Sequence, residues 1–442
     1  MKRRYFGTDG IRGRAGETPI TAEFATKLGR ALVKVLGIEH PVVAIGRDTR
    51  ASGPMLEEAL ARGITSAGGD VCLLGVIPTP GVAAYVVENR LAAGAVISAS
   101  HNPAHDNGIK FFSGDGFKLP DETELAIEQQ LDASAPAVAP GAVGQIDDAV
   151  SRYVAHALKS LPADFSLRGL EIAVDCANGA AHETTPQALR VLGADVHAFH
   201  AAPDGLNINA DCGSTVAGEI SRLVKETGAQ VGLSHDGDAD RLLLCDETGD
   251  PLDGDELLVM AGLDLLHRGE LPGNTVVATV MSNLGLDEAI ENAGGRVVRT
   301  AVGDRYVLEA MRAGGFVLGG EQSGHMIFLR YGTTGDGLVS ALQILRLVTE
   351  SGKPLSELRR VLTKYPQAQR AVKVASKPPL EELPAVQSAI RAAEEALAPR
   401  GRVLVRYSGT EPKLRILLEG RDAAVLEKHA DVIASAVKSA LG

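Results

Sequence analysis

At 442 residues the chain is too long for one ordinary core, so two to four domains are expected. Apolar residues make up 45% and charged residues 23%, as in a soluble globular protein, and 4% aromatics with no Trp argues against a stacking platform for single-stranded nucleic acid. The 44 Lys plus Arg against 56 Asp plus Glu leave a net charge of −12, which disfavours polyanions but not small anions, because a few local Arg residues suffice to hold a phosphate. Cys72, Cys176, Cys212 and Cys245 form no C-x-x-C, so neither a zinc knuckle nor a disulfide framework is expected. Met1–Gly7 is basic but has no apolar stretch behind it, and no run reaches membrane-spanning length. The expected location is the cytoplasm, with neither membrane nor nucleic acid as a partner.

Along the chain, Phe6–Gly13 is Gly-rich but follows no strand, so it is not a dinucleotide fingerprint, and no Walker A sequence is present. A threefold pattern comes next. Three β-rich runs, Val42–Asp48, Glu171–Cys176 and Thr275–Val280, each lead into an amphipathic helix. Each helix ends at a Gly-bearing cap and a second strand, at Ala67–Val71, Leu192–Val196 and Ala293–Val297. Strand, helix and strand within about thirty residues make a βαβ unit, and three of them imply three α/β domains. A third strand is expected at Gly94–Ile97, Val231–Leu233 and Gly315–Leu318. Beyond Tyr365-Pro366 the pattern changes. Gly401–Arg406 and Lys413–Leu418 read as two strands joined by a turn, and a helix covers about Ala423–Leu441, which makes a separate α+β domain. The fold class is therefore α/β, with three similar mixed domains (1–145, 146–252, 253–367) and a C-terminal α+β domain (368–442).

Directly after each third strand lies an unusual loop, where open α/β sheets bind ligands. The first is Ser98–Pro103, with Ser100, His101 and Asn102 together and Lys110 nearby. Alone, Ser100 reads more simply as a helix N-cap, but a Ser hydroxyl can also carry a phosphoryl group when a base and cations are in reach. The second is Asp236-Gly237-Asp238-Ala239-Asp240, whose alternating carboxylates suit Mg²⁺. An EF-hand is rejected because Arg241 stands where that loop needs Gly and Leu242–Leu244 reads as a strand; a solvated acidic turn is the plainer alternative. In the third loop, Glu321, Ser323 and His325 combine groups suited to sugar hydroxyls with a proton carrier, though an ordinary polar turn reads equally well. The fourth domain offers Arg406, Ser408, Gly409 and Thr410, with Arg415 on the next strand: a phosphate nest or a plain hairpin turn. Nucleophile, hard-metal site, polyol reader and phosphate clamp together point to phosphoryl transfer on a sugar phosphate, with a donor other than ATP.

These segments, SASHNP, DGDADR, GEQSGH and RYSGTEP, resemble in order and chemistry those of the α-D-phosphohexomutase superfamily, from Tyr5 to the C-terminus. Tyr5–Gly13, Gln322 and Thr300–Val307 resemble the bacterial branch acting on a 2-amino sugar phosphate; the branch acting on mannose and glucose phosphates is the alternative. The resemblance implies an isomerase of four domains around a central cleft, whose product feeds amino-sugar and cell-wall precursor synthesis. It implies that Ser100 carries phosphate and that Asp236, Asp238 and Asp240 hold one Mg²⁺ per chain together with the phosphoserine. Arg12 and Arg241 would flank the phosphoryl group, with Lys110 and His325, and less strongly His101, as proton carriers. Glu321 and Ser323 would take sugar hydroxyls, while Arg406, Ser408, Gly409, Thr410 and Arg415 would hold the other phosphate. A sugar 1,6-bisphosphate would serve as activator, and a homodimer through the first domain is implied. A Mg²⁺ phosphatase and a non-catalytic sugar-phosphate sensor are the rivals from other classes.

Overall fold

The computed structural model describes residues 3–132, 138–408 and 412–442. They separate into two compact units, one of residues 1–282 and 290–361, the other of 283–289 and 362–442.

The first unit contains three sheets. Sheet one holds β1 (Ile11–Arg14), β2 (Val42–Arg47), β3 (Asp70–Val76), β4 (Ala93–Ile97), β5 (Asp106–Ser113) and β6 (Val143–Gln145), in the order β1-β5-β4-β2-β3-β6. Sheet two holds β7 (Glu171–Asp175), β8 (Asp195–Phe199), β9 (Val231–Ser234), β10 (Leu243–Asp246) and β11 (Pro251–Leu252), in the order β11-β10-β9-β7-β8. Sheet three holds β12 (Thr275–Thr279), β13 (Arg296–Thr300), β14 (Leu318–Gly320) and β15 (Met326–Phe328), in the order β13-β12-β14-β15. In each, the repeat's first strand lies between its second and third, parallel to both. A fourth strand then turns back antiparallel to the third: β5 on β4, β10 on β9, β15 on β14.

The local reasons are visible in the residues. Every residue of β4 and β12 is buried, so these strands read as continuous apolar runs instead of alternating. Helices Gly53–Ser66 and Ala181–Val191 cross from first strand to second, and Thr79–Glu88, Ala217–Thr227 and Asp304–Gly314 from second to third. The core around sheet one includes Leu28, Leu32, Ile45, Leu60, Ile64 and Ile97. Each such side chain contributes about 1.5–3 kcal/mol by leaving water. The threefold pattern is thus a real architectural repeat, with one shift in register. Gly315, expected to open the third strand of the third repeat, instead caps helix Asp304–Gly314 in the left-handed conformation, and β14 starts at Leu318.

This topology fixes where the three unusual loops fall. Residues 98–105, 235–242 and 321–325 each link a parallel third strand to its antiparallel fourth. They lie at the carboxyl end of strands that the rest of the sheet holds rigid.

The second unit has β16 (Gln367–Lys373), β17 (Arg402–Tyr407) and β18 (Lys413–Glu419), antiparallel in the order β16-β18-β17. Helices Pro384–Leu397 and Ala423–Leu441 bury Val386 and Ile433 with Ile416 and Leu418 of the sheet. The sequence led us to expect two strands here. β16 escapes notice because Gln367–Lys373 is mostly polar, with only Ala368 and Val372 buried. Among the described residues, no helix is long and apolar enough to cross a membrane.

Candidate active site

Ser100 sits at the mouth of β4 with a φ of +52°, a left-handed conformation that costs a non-Gly residue roughly 1–3 kcal/mol and persists only where its surroundings impose it. They do. Its N–H donates to Ser98 Oγ (2.9 Å), and Ser98 Oγ donates to Asp48 Oδ2 (2.6 Å). Arg50, fully buried and paired with Asp48 at 2.8 Å, donates to the carbonyls of Ser100 (2.9 Å), Asn102 (2.8 Å) and Asp106 (2.9 Å), and also to that of Pro103. One guanidinium therefore holds the whole turn. The result aims the Ser100 hydroxyl at the second repeat, where Oγ donates to Asp236 Oδ2 at 2.6 Å across 136 residues of chain.

Asp236, Asp238 and Asp240 are all buried and bring carboxylate oxygens within 4.8 Å of one another. Burial, then the charges of Asp240 and Asp238, push Asp236 up to about 7. Asp238 Oδ2 accepts from Thr79 Oγ1 (2.6 Å) and Lys110 Nζ (2.7 Å), and Lys110 also lies 3.6 Å from Asp240. Burial alone would lower Lys110, but Asp238, Asp9 and Asp240 outweigh it and hold the ammonium charged. Two carboxylate oxygens, Asp238 Oδ1 and Asp240 Oδ1, are buried with no hydrogen-bond partner. Buried oxygens without donors, on mutually repelling carboxylates, fit a hard divalent cation such as Mg²⁺.

The third loop meets this cluster through His325. Its Nδ1 lies 3.6 Å from Asp240 and its Nε2 3.6 Å from Asp304. Burial would discharge the ring, yet Asp240 and Asp304 raise it to about 9. His101 is in the opposite state: burial, Arg241 and Arg12 lower it to about 4, and its Nδ1 lies 3.3 Å from Ser100 Oγ. The site thus holds one neutral imidazole and one charged imidazole at neutral pH. Arg241 reaches 3.9 Å from both Asp236 and Asp240, and Arg12 pairs with Asp9. Glu321 Oε1 accepts from the Gly303 N–H (3.0 Å), and burial raises its carboxyl, while Ser323 is exposed on the loop.

In the second unit, Arg406 of β17 stands directly across from Arg415 of β18. Burial and then Arg415 lower the Arg406 guanidinium, the signature of like charges held as neighbours. Ser408 is buried, with its carbonyl accepting from Lys377 Nζ at 2.6 Å. Gly409 and Thr410 lie outside the described residues.

Four family profiles match the chain in order. Phosphoglucomutase/phosphomannomutase α/β/α domains I, II and III match residues 3–137, 151–249 and 253–365, and the C-terminal domain of the same family matches 370–436. The chain belongs to the phosphoglucomutase/phosphomannomutase family. Within that family it is 52% identical to a phosphoglucosamine mutase of Syntrophotalea carbinolica over 100% of this chain and 99% of that one. It is 51% identical to a phosphoglucosamine mutase of Anaeromyxobacter dehalogenans over 100% of both chains. Among solved structures, a phosphoglucomutase/phosphomannomutase family protein of Burkholderia thailandensis superposes with a TM-score of 0.84 at 25% identity, covering 100% of this chain and 98% of that one. The N-acetylphosphoglucosamine mutase of Aspergillus fumigatus, solved with GlcNAc-6P and magnesium, shares the fold with a TM-score of 0.71 at 20% identity, covering 100% of this chain and 96% of that one.

Several residues around this candidate site are not singled out by the sequence. Asp9 is held well below the ordinary carboxylate range: burial opposes this, but Lys110, Lys118 and Arg12 prevail. Lys118 bridges Asp9 and Asp304, joining the first and third repeats. Arg50 and Thr79 support the serine and metal loops. For Asp9 a signal existed, since it lies within the Gly-rich segment Phe6–Gly13. Lys118 and Asp304 are 186 residues apart and gave none.

Proposed function

We propose that the chain interconverts glucosamine 6-phosphate and glucosamine 1-phosphate through a phosphorylated Ser100. The observation carrying this reading is the 2.6 Å contact of Ser100 Oγ with a buried, three-carboxylate cluster in which Asp238 Oδ1 and Asp240 Oδ1 lack a hydrogen-bond donor. In the active form Ser100 Oγ carries a phosphoryl group. The 1-hydroxyl of glucosamine 6-phosphate attacks that phosphorus, the Oγ–P bond breaks, and a 1,6-bisphosphate forms. After the bisphosphate turns over, Ser100 Oγ attacks its 6-phosphate and the sugar O6–P bond breaks, which restores phosphoserine and releases glucosamine 1-phosphate.

Protons must leave the attacking hydroxyl and return to the leaving oxygen. Lys110 and His325, both held charged, are suited to donate, and the neutral His101, 3.3 Å from Ser100 Oγ, is suited to accept. Asp236, Asp238 and Asp240 would hold Mg²⁺, which when bound supplies positive charge toward the transferring phosphoryl oxygens. Arg12 and Arg241 would add to that charge. Glu321 and Ser323 would hold sugar hydroxyls, and Arg406, Ser408 and Arg415 the phosphate that stays in place. A trace of 1,6-bisphosphate would phosphorylate Ser100 when it has been lost.

Phosphorus NMR of the full chain with Mg²⁺, a trace of sugar bisphosphate and glucosamine 6-phosphate tests the reading. The 1-phosphate should appear, well ahead of parallel reactions with glucose and mannose 6-phosphate. Release of inorganic phosphate alone would overturn the mutase. Ser100→Ala should lower turnover at least about a thousandfold with the fold intact.

A further inference from the structure

The backbone carbonyl of Ser100 is held twice. Arg50 Nη2 donates to it at 2.9 Å from within the first repeat. Asn209 Nδ2 donates to it, also at 2.9 Å, from the second repeat, and reaches the Asn102 carbonyl at 3.1 Å. Both acceptors are carbonyl oxygens, so only the amide nitrogen can face them and the side chain's orientation is determined. Asn209 is itself fixed to the second repeat, for its N–H donates to the Ala177 carbonyl (2.9 Å) and its backbone is left-handed, with a φ of +58°. The metal loop arrives at the same point. A Cβ on Gly237 would stand 2.6 Å from the Ser100 oxygen and 2.9 Å from Asn209 Nδ2. Serine loop, metal loop and Asn209 therefore meet with no room for another atom.

We infer that Asn209 is a positioning residue that sets Ser100 in register with the Asp236 cluster, through its amide donor and not through its bulk. Arg50 alone would hold the serine turn to its own sheet, but nothing in that interaction refers the turn to the carboxylates of the second repeat. Asn209 supplies that reference, and with Gly237 it imposes the distance over which Ser100 Oγ reaches Asp236. This inference rests on Ser100 being the phosphoryl carrier. Asn209 should therefore affect the transfer step more than the affinity for sugar phosphate.

The test uses the purified full chain, first stripped of phosphate on Ser100, then mixed with Mg²⁺ and glucose 1,6-bisphosphate. In this reaction the Ser100 Oγ–P bond forms as a sugar O–P bond breaks, and the Ser100 proton passes to a neighbouring acceptor as the sugar oxygen gains one. Phosphorylation is followed by intact mass. In Asn209→Ala the rate should fall at least about tenfold, the scale of a sub-ångström misplacement of a nucleophile, with KM for glucosamine 6-phosphate within about twofold of the parent. Asn209→Asp, the same size but lacking the donor, should be slower than Asn209→Ala. Ile208→Val, which loosens the same turn and spares the amide, should react like the parent, and thermal unfolding of each variant checks the fold. Parent-like rates in Asn209→Ala, an Asp variant faster than the Ala variant, or equal slowing by Ile208→Val would each overturn the inference. Failure of the parent to take any phosphoryl group would instead overturn Ser100 as carrier.

Discussion

At the scale of single residues, the site is a near-balance of buried charge that no pair settles alone. Asp9, Asp236, Asp238, Asp240 and Asp304 face Arg12, Lys110, Lys118, Arg241 and His325; Asp236, Asp238, Asp240, Lys110 and His325 are buried and the others half-buried. Removing one member leaves the others facing uncompensated charge, so single substitutions here report the network as much as the residue. A separate pair shows the same logic away from the chemistry. His200 Nδ1 lies 3.0 Å from Asp175 Oδ1, and this hydrogen bond, against the effect of burial, raises the imidazole above its ordinary value. A folded-state value above the unfolded one means stability is fully present below the unfolded value, about 6.5, and is lost as pH rises through the higher folded value. His200→Gln should remove that decline above about pH 6.5, which urea midpoints measured across the range would reveal. An unchanged slope would show that Asp175 spends its hydrogen bonds elsewhere, on the N–H groups of Ala177 and Gly213.

At the scale of elements, the support under the metal loop comes from helix Gly337–Ser351. Its N-cap, Asp336, is buried, accepts from Val339 N (2.9 Å) and from the Tyr153 hydroxyl (2.8 Å), and precedes Gly337, whose N–H donates to Ala239 in the metal loop (3.1 Å). Asp336→Ala removes a helix cap, worth about 1 kcal/mol, and strands a buried hydroxyl, worth about 1–3 kcal/mol. The expected loss of about 2–4 kcal/mol should appear as a lower urea midpoint, whereas Asp336→Asn, which keeps the one oxygen that accepts both bonds, should stay within about 1 kcal/mol. Elements also mark the limit of what a sequence shows. Ser100 and the three aspartates were legible because their chemistry is contiguous, written into one short loop each. β5 was not, since Asp106-Asn107-Gly108 reads as a turn until β1 and β4 pair with it on either side. With β5 unseen, Lys110 could be named as nearby but not aimed at Asp238. The side chains of Asn209 and Lys118 act through partners more than a hundred residues distant, and no local pattern encodes such meetings.

At the scale of the molecule, the described residues form two compact units. The first holds Ser100, the carboxylates and the candidate proton carriers; the second holds Arg406 and Arg415. Damage to the two should be kinetically distinguishable. Arg406→Ala should raise KM about 10- to 100-fold, the worth of a charged hydrogen bond, with a smaller loss of kcat. A collapse of kcat at unchanged KM would contradict a role in holding the stationary phosphate. The repeated sheet topology bears on a different question, the order in which the protein folds. Each of the three loops in the first unit is the bend of a hairpin, β4–β5, β9–β10 or β14–β15, and so is closed by strands adjacent in sequence. Contacts that close short loops form fast, whereas Ser100 and Asp236 must await the docking of separate repeats. The three loops can thus be closed before Ser100 meets Asp236, and the chemistry proposed for them has to await the docking of the repeats.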